Sequence, residues 1–130
     1  MLARRGSRVD VIFANPSRID AVCADIVDHF YAVVDPLGEK AQVVVYDRAA
    51  CVAYHARLTE LLTARAASGH PRDEAAVVMS VTGGKNEDDA WAIHRRTEAE
   101  EAELLKRFRT HGDPLKFLIV TARLGTGFNA

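Results

Sequence analysis

Residues 113–130 read DPLKFLIVTARLGTGFNA, and this stretch decides the fold class. An Asp-Pro turn leads into an uninterrupted apolar run at 117–120. Continuous apolar strands are typical of parallel sheets whose two faces are both covered by helices. The run opens into a loop that carries Gly125, Thr126 and Gly127. Ligands of open α/β sheets bind beyond the carboxyl ends of the strands, so this loop is predicted to form part of a site. The alternative is an ordinary turn, because glycine readily adopts positive φ.

Two earlier segments resemble this strand. Residues 41–46 (AQVVVY) and 75–81 (AAVVMSV) are short apolar runs rich in β-branched residues, as expected of buried strands. Apolar residues recur at helical steps over 19–34 and 52–62, and Thr97 begins a third helix with capping-box spacing. The pattern predicts an α/β fold: a three-layer α-β-α arrangement with three parallel strands and helices on both faces.

The order of these strands determines which loops meet. We expect the strand at 41–46 to lie between the other two. That order would gather the loops at 47–49, 82–85 and 121–129 along one edge of the sheet. Three strands make a small sheet, so we expect the chain to be a piece of a larger domain.

Composition limits the possible functions. The 130 residues suit one domain, with residues 1–15 a basic, poorly ordered lead-in and 16–130 the folded part. Within the lead-in, residues 9–13 are at most a short extended piece. A net charge of -1 gives no global attraction to nucleic acid, so any such binding needs a local patch. Cys23 and Cys51 are predicted to be buried thiols, and no histidine or cysteine spacing indicates a metal site. No apolar run is long enough to span a membrane, and a cytoplasmic location is expected.

The strand-end loops hold the candidate phosphate contacts. Asp47 and Arg48 are either a helix cap with a solvated arginine or a phosphate-binding pair. The loop TGGK at 82–85 resembles a phosphate loop, but Met79 stands where a Walker A motif needs glycine. It is therefore a flexible turn or a backbone contact to phosphate.

Trp91 and Ile93 are isolated apolar residues of the polar stretch 82–96 and are predicted to anchor it. The alternative for Trp91 is a platform on which a base stacks.

Four segments together resemble one family. They are KAQVVVYDR at 40–48, Arg107-Phe108, DPLK at 113–116 and TGFNA at 126–130. In this order they are similar to the R subunit of type I restriction endonucleases. The similar part is the second RecA-like domain, of the P-loop NTPase type, in its superfamily 2 helicase module. The similarity runs from about Arg18 to the last residue.

This resemblance implies a role in an ATP-driven double-stranded DNA translocase that uses ATP and Mg in the intact parent enzyme. It implies partners that are absent here: the first RecA-like domain, the nuclease domain, and the modification and specificity subunits. It also implies DNA phosphate contacts and a nucleotide edge. The implied DNA-contacting residues are Asp47, Arg48, Thr82, Thr126 and Gly127, and the implied nucleotide-edge residues are Gly125 and Asn129.

The sequence departs from the family pattern in two ways. The family ending usually reads D-M-x-x-T-G-F-D-A-P, and here Ala122, Arg123 and Asn129 replace three of its residues. The chain also lacks Walker A and B motifs, an arginine finger and a nuclease motif, so no catalytic residue is nominated and no activity is expected of it alone. The alternatives are a stand-alone α/β module that binds a phosphorylated ligand or a protein, and an inactive remnant of such a motor.

Overall fold

The computed structural model of the chain describes residues 9–15 and 18–122. The strands are β1 (Val9–Phe13), β2 (Lys40–Val45), β3 (Glu74–Val78) and β4 (Leu115–Thr121). The α-helices are α1 (Ile19–His29), α2 (Arg48–Ala67) and α3 (Glu98–Arg109). A short π-helix (Phe30–Val34) and a short 3-10 helix (Asp35–Leu37) follow α1, and a further 3-10 helix (Asp89–His94) precedes α3.

The four strands form one sheet in the order β1-β2-β4-β3, and every neighbouring pair is parallel. The predicted α/β class with a parallel sheet is confirmed. The predicted strand order is wrong, because β4 and not β2 lies between the other two predicted strands. The other edge of β2 pairs with β1, a strand beyond the three predicted ones, at residues that had been considered at most a short extended piece.

Strand β1 lies within the segment that had been predicted to be a poorly ordered lead-in. Its register pairs Val9 with Lys40 and Phe13 with Val44, so residues 9–13 belong to the sheet. The strand gives a weak sequence signal because it is short and Asp10 interrupts its apolar residues. It is an edge strand with little burial, and Phe13 is 79% exposed.

Helices α1 and α2 cover one face of the sheet. Phe30, which follows α1, packs against Phe117 of β4 with a ring-centroid distance of 4.5 Å. Tyr54 and Leu58 of α2 are completely buried in the same cluster. The apolar residues of these helices therefore face the sheet. None of the helices within the described residues combines the length and the apolar character needed to cross a membrane.

Helix α3 covers the opposite face and completes the three layers. Its Phe108 is completely buried in a second cluster that contains Leu118 and Val120 of β4. Phe117 and Ile119, which alternate with them, belong to the cluster under α1 and α2. Strand β4 is thus buried on both faces, which explains why its sequence is an unbroken apolar run.

The two cysteines are buried free thiols, as predicted. Cys23 and Cys51 each have an exposure of 0%. Burial disfavours the charged thiolate, so the pKa rises to about 11 for Cys23 and to about 12 for Cys51. Both side chains act as small apolar core residues rather than as nucleophiles.

Two of the segments that carry the family resemblance form a brace at the amino-terminal edge of the sheet. Nη2 of Arg107 donates to Oδ1 of Asp113 at 3.0 Å and to Oε1 of Glu74 at 3.1 Å. Asp113 also accepts the N–H of Leu115 at 2.9 Å. The hydrogen bonds from Arg107 and Leu115 lower the pKa of Asp113 below its ordinary value. The brace joins the end of α3 to the first residues of β3 and β4.

Lys40 extends this brace to β2. Its Nζ donates to the carbonyl oxygens of Arg107 at 3.0 Å and Thr110 at 2.8 Å, at the carboxyl end of α3. The last carbonyls of a helix have no partner within the helix, so a buried ammonium group satisfies two polar groups at once. Lys116 pairs with Asp35 at 3.0 Å and joins β4 to the turn before β2.

We predict that Arg107→Ala destabilises the fold while Arg109→Ala does not. Arg107 holds two carboxylates together, whereas Arg109 is an exposed residue of the same helix. Losing a partly exposed network of this kind costs about 1 kcal/mol. Urea unfolding of the two variants measures the difference. Equal free energies of unfolding for both would contradict a stabilising role for the brace.

Candidate functional site

The strands β2, β4 and β3 end at one edge of the sheet, which we call the carboxyl rim. Its described parts are residues 46–48 after β2, 79–91 after β3, and 121–122 at the end of β4. Parallel pairing places these segments side by side. Three of the predicted site residues lie on the rim: Asp47, Arg48 and Thr82.

The other four predicted site residues are Gly125, Thr126, Gly127 and Asn129. They lie outside the described residues. Their proposed contacts with DNA phosphate and with the nucleotide edge stay predictions. Strand β4 ends at Thr121 between the ends of β2 and β3, so the chain reaches the carboxyl rim immediately before this segment.

Asp47 caps helix α2. Its Oδ1 accepts the N–H of Ala50 at 2.8 Å, and its backbone is extended, as is usual for an N-cap residue. The carboxylate satisfies one of the free N–H groups at the helix start and complements the positive end of the helix dipole. The geometry accounts for Asp47 as a cap, which was one of its two interpretations. A phosphate contact by Asp47 stays a prediction.

Arg48 is held across the rim and is not simply solvated. Its Nη1 donates to the carbonyl oxygen of Ser80 at 2.7 Å and to Oε2 of Glu87 at 2.6 Å. Its Cζ lies 4.7 Å from the ring centre of Trp91, a cation–π distance. The first residue of α2 is thereby attached to the loop that follows β3.

Backbone N–H groups of the loop after β3 donate to the same Glu87 carboxylate that pairs with Arg48. Oε1 of Glu87 accepts the N–H of Thr82 at 2.9 Å and the N–H of Gly83 at 2.7 Å. Gly83 has a φ of 83°, in the region that favours glycine. A Cβ at this position would lie 3.0 Å from Nη1 of Arg95, the end of a flexible exposed side chain that can shift, so the backbone conformation rather than the space favours glycine here.

These donors form what we call the rim cradle: the N–H groups of Thr82 and Gly83 and the guanidinium of Arg48. Such convergent donors suit a single oxyanion, either a carboxylate or a phosphate. Burial alone would raise the pKa of Glu87, but the hydrogen bonds from Gly83, Arg48 and Thr82 lower it below its ordinary value. Glu87 was not predicted as a site residue. The only sequence signal for it is that an acidic residue follows the Thr-Gly-Gly turn closely enough to bond to its N–H groups.

Trp91 is an anchor of the loop. It lies in the 3-10 helix (Asp89–His94), is half-buried, and packs against the core on one side and near Arg48 on the other. This contact agrees with the anchoring interpretation of the residue. Ile93 was also predicted to anchor the stretch 82–96, and that prediction is wrong because its side chain is 75% exposed.

Comparison with known proteins gives two relatives. The chain is 28% identical over 125 residues to the HindI type I restriction enzyme endonuclease subunit of Haemophilus influenzae, with 92% of this chain covered. It is 28% identical over 123 residues, with 95% covered, to a Methanocaldococcus jannaschii protein named as the MjaIXP type I restriction enzyme endonuclease subunit. The chain spans about 11% of the length of each relative. No protein-family model and no solved structure matches it.

The loop after β3 also buries a pair of histidines beside the sheet. His94 is 3% exposed, and its Nε2 has no hydrogen-bond partner among the described residues. Its ring meets that of His55 edge-on at 4.9 Å, and Nε2 of His55 lies 3.0 Å from the carbonyl oxygen of Ala75. Burial, and then the positive charges that His55 and Arg96 can carry, lower the pKa of His94 to about 4.

We predict that the fold loses stability as the pH falls from 6.5 to about 4. Over this range the unfolded chain protonates at position 94 while the folded chain does not, so protons favour unfolding. The loss attributable to His94 is on the order of 2 to 3 kcal/mol. Urea unfolding at several pH values measures it.

His94→Leu, which cannot be protonated, should flatten this pH dependence. The matched control is His70→Leu, which removes an exposed histidine. If the His94 variant keeps the same pH dependence as the parent chain, the buried histidine is not its cause.

Proposed function

We propose that this chain, which is similar to a segment of the endonuclease subunits of type I restriction enzymes, is part of the DNA-translocating motor of such an enzyme. The segment would belong to the second RecA-like domain of the motor. Its role there would be to hold the phosphate backbone of double-stranded DNA at the carboxyl rim.

One observation carries this proposal: donors from two separate strand ends converge on one anion. Arg48 follows β2, while Thr82 and Gly83 follow β3, and all three bond to the same carboxylate at 2.6 to 2.9 Å. Two backbone N–H groups and a guanidinium are donors that proteins commonly use for phosphate. The arrangement supports an anion-holding function for this rim.

Such donors suit a motor because they bind without reading sequence. Contacts to phosphate fix the position of a protein on the duplex, and contacts to base edges carry the sequence information. A protein that steps along DNA needs the first kind. With a net charge of -1, the chain offers only local attraction to a polyanion, and the rim is where we place it.

The described residues do not fit ATP and magnesium. The loop after β3 lacks the Walker A pattern, because Met79 stands where that motif needs glycine. Within residues 9–15 and 18–122, no group of three or more His, Cys, Asp or Glu is placed to hold a metal ion. We propose that the rest of the motor supplies the phosphate cradle and the metal-holding acid, while the nucleotide-edge contacts of Gly125 and Asn129, outside the described residues, stay predictions.

The proposal extends to partners and location. The first RecA-like domain and the nuclease domain would complete the subunit, the modification and specificity subunits would complete the enzyme, and the assembly would be cytoplasmic. The DNA next to the coding sequence distinguishes the alternatives. Walker motifs encoded upstream support a motor, whereas unrelated intact genes on both sides would favour a stand-alone binding module.

We predict salt-dependent binding of duplex DNA that depends on Arg48. Each phosphate that a cation neutralises lowers the affinity about three- to four-fold as salt rises from about 50 to about 200 mM. Arg48→Ala should weaken binding and reduce the slope of log K against log salt by about one unit. Fluorescence anisotropy of a labelled duplex measures both quantities.

Arg109→Ala is the matched control. It removes the same charge from an exposed position at the amino-terminal edge of the sheet, far from the rim. The proposal fails if the two variants lower the salt slope equally, or if the parent chain binds DNA with an affinity that does not fall with salt.

We also predict that the purified chain does not hydrolyse ATP, with or without DNA. Phosphoryl transfer needs a phosphate cradle, a metal-holding acid and an arginine finger in place together. A phosphate-release assay with added duplex tests this. Release above the protein-free background that increases with DNA would contradict it.

A further inference from the structure

The rim cradle is occupied by a side chain of the protein itself. The Glu87 side chain is only 7% exposed, and its two oxygens accept from Thr82, Gly83 and Arg48. A carboxylate and a phosphate group both present oxygens that accept charge-assisted hydrogen bonds at these distances. The carboxylate therefore has the place and the partners that a phosphate would have.

The cradle borders an open cleft of about 320 Å³. Gly83, Glu87 and Arg95 line it, together with Asp88 and Asp89. The Asp88 carboxylate caps the following 3-10 helix through the N–H of Ala90 at 2.9 Å. The cleft gives a ligand a path to the cradle from solvent, and Arg95 adds a cation along that path.

The charges around the cradle change when Glu87 leaves. Among residues 47–48 and 85–95, the four acids (Asp47, Glu87, Asp88 and Asp89) outnumber the three cations (Arg48, Lys85 and Arg95) by one while Glu87 is in place. Removing Glu87 balances them and exposes the Arg48 guanidinium, which carries no other ion pair among the described residues. An approaching anion is thus disfavoured by the filled cradle and accepted by the vacated one.

We propose that the rim cradle is a binding site for a single phosphate group, and that Glu87 is its built-in occupant, which the phosphate must displace. The site would hold the phosphate through the donors that now hold Glu87. The view that this phosphate comes from a nucleic acid rests on the proposed function, whereas the inference that Glu87 occupies a phosphate site rests only on the geometry of the cradle.

The first test titrates inorganic phosphate into the whole chain and into Glu87→Ala at matched ionic strength, with chloride as the reference salt. Calorimetry gives the affinity, and the single tryptophan, 4.7 Å from Arg48, gives a local emission signal. If the vacated state is populated at about a tenth or less, removing Glu87 tightens phosphate binding about tenfold or more.

Asp89→Ala is the matched control, since it removes a carboxylate from the same cleft but not from the cradle. It should leave phosphate affinity within about twofold of the parent chain, because the occupant is unchanged. Adding Arg48→Ala to Glu87→Ala should abolish the gain. The inference is overturned if Glu87→Ala binds phosphate no more tightly than Asp89→Ala, or if the gain survives the loss of Arg48.

Glu87→Gln covers the case in which the alanine variant does not fold. Glutamine keeps the shape and one acceptor oxygen but loses the charge that Arg48 holds, so its phosphate affinity should also rise. Phosphate should raise the thermal midpoint of this variant more than that of the parent chain. An equal effect on both would show that Glu87 is only a structural tie, and would overturn the inference.

Duplex DNA forms a separate arm of the experiment. If Glu87→Ala tightens both phosphate and DNA binding, the site and its nucleic-acid ligand are both supported. A gain for phosphate alone supports the site and contradicts the proposed DNA contact. If DNA binding by the parent chain depends on Arg48 but Glu87→Ala gains nothing for either ligand, the self-occupied site fails while the proposed function stands.

Discussion

The structure depends on the parallel pairing of β2 with β4. These two strands form the middle of the sheet, and their register pairs Val43 with Ile119 and Val45 with Thr121. Both are buried on both faces, so each contributes to the core under α1 and α2 and to the core under α3. The same pairing aligns their carboxyl ends. Arg48 and the loop after β3 can meet only because this alignment holds.

Much of the fold could be predicted from residue patterns, and the predictions that were wrong have physical causes. The apolar run at 117–120 predicted a strand buried on both faces, and β4 is one. The residue pattern did not show which strand lies between the other two predicted ones. Strand β2 is as fully buried as β4, so the sequence of either strand is compatible with a central position. The edge strand β1 was considered only a short extended piece and was left out of the predicted sheet, because Asp10 divides its apolar residues and only 11–13 are consecutive.

The positions of the candidate site residues were predictable in part. Position at a strand end was enough to nominate Arg48 and Thr82, because parallel sheets collect such loops at one edge. Glu87 was not nominated, since its place in the cradle depends on the positive φ of Gly83 and on a loop path that sequence spacing does not specify. Arg107, part of the family resemblance, acts at the opposite edge of the sheet as a structural brace.

The central position of β4 constrains the order in which the molecule assembles. Of the four strands it is the last in the chain, yet it lies between β2 and β3 and joins them. During synthesis from the amino terminus, β1 and β2 can pair early, but β3 has no partner among the four described strands until β4 has left the ribosome. Pairings between distant parts of a chain form slowly and leave strand edges exposed meanwhile. Nascent chains of this protein therefore carry an unfinished sheet until nearly all of these residues are made.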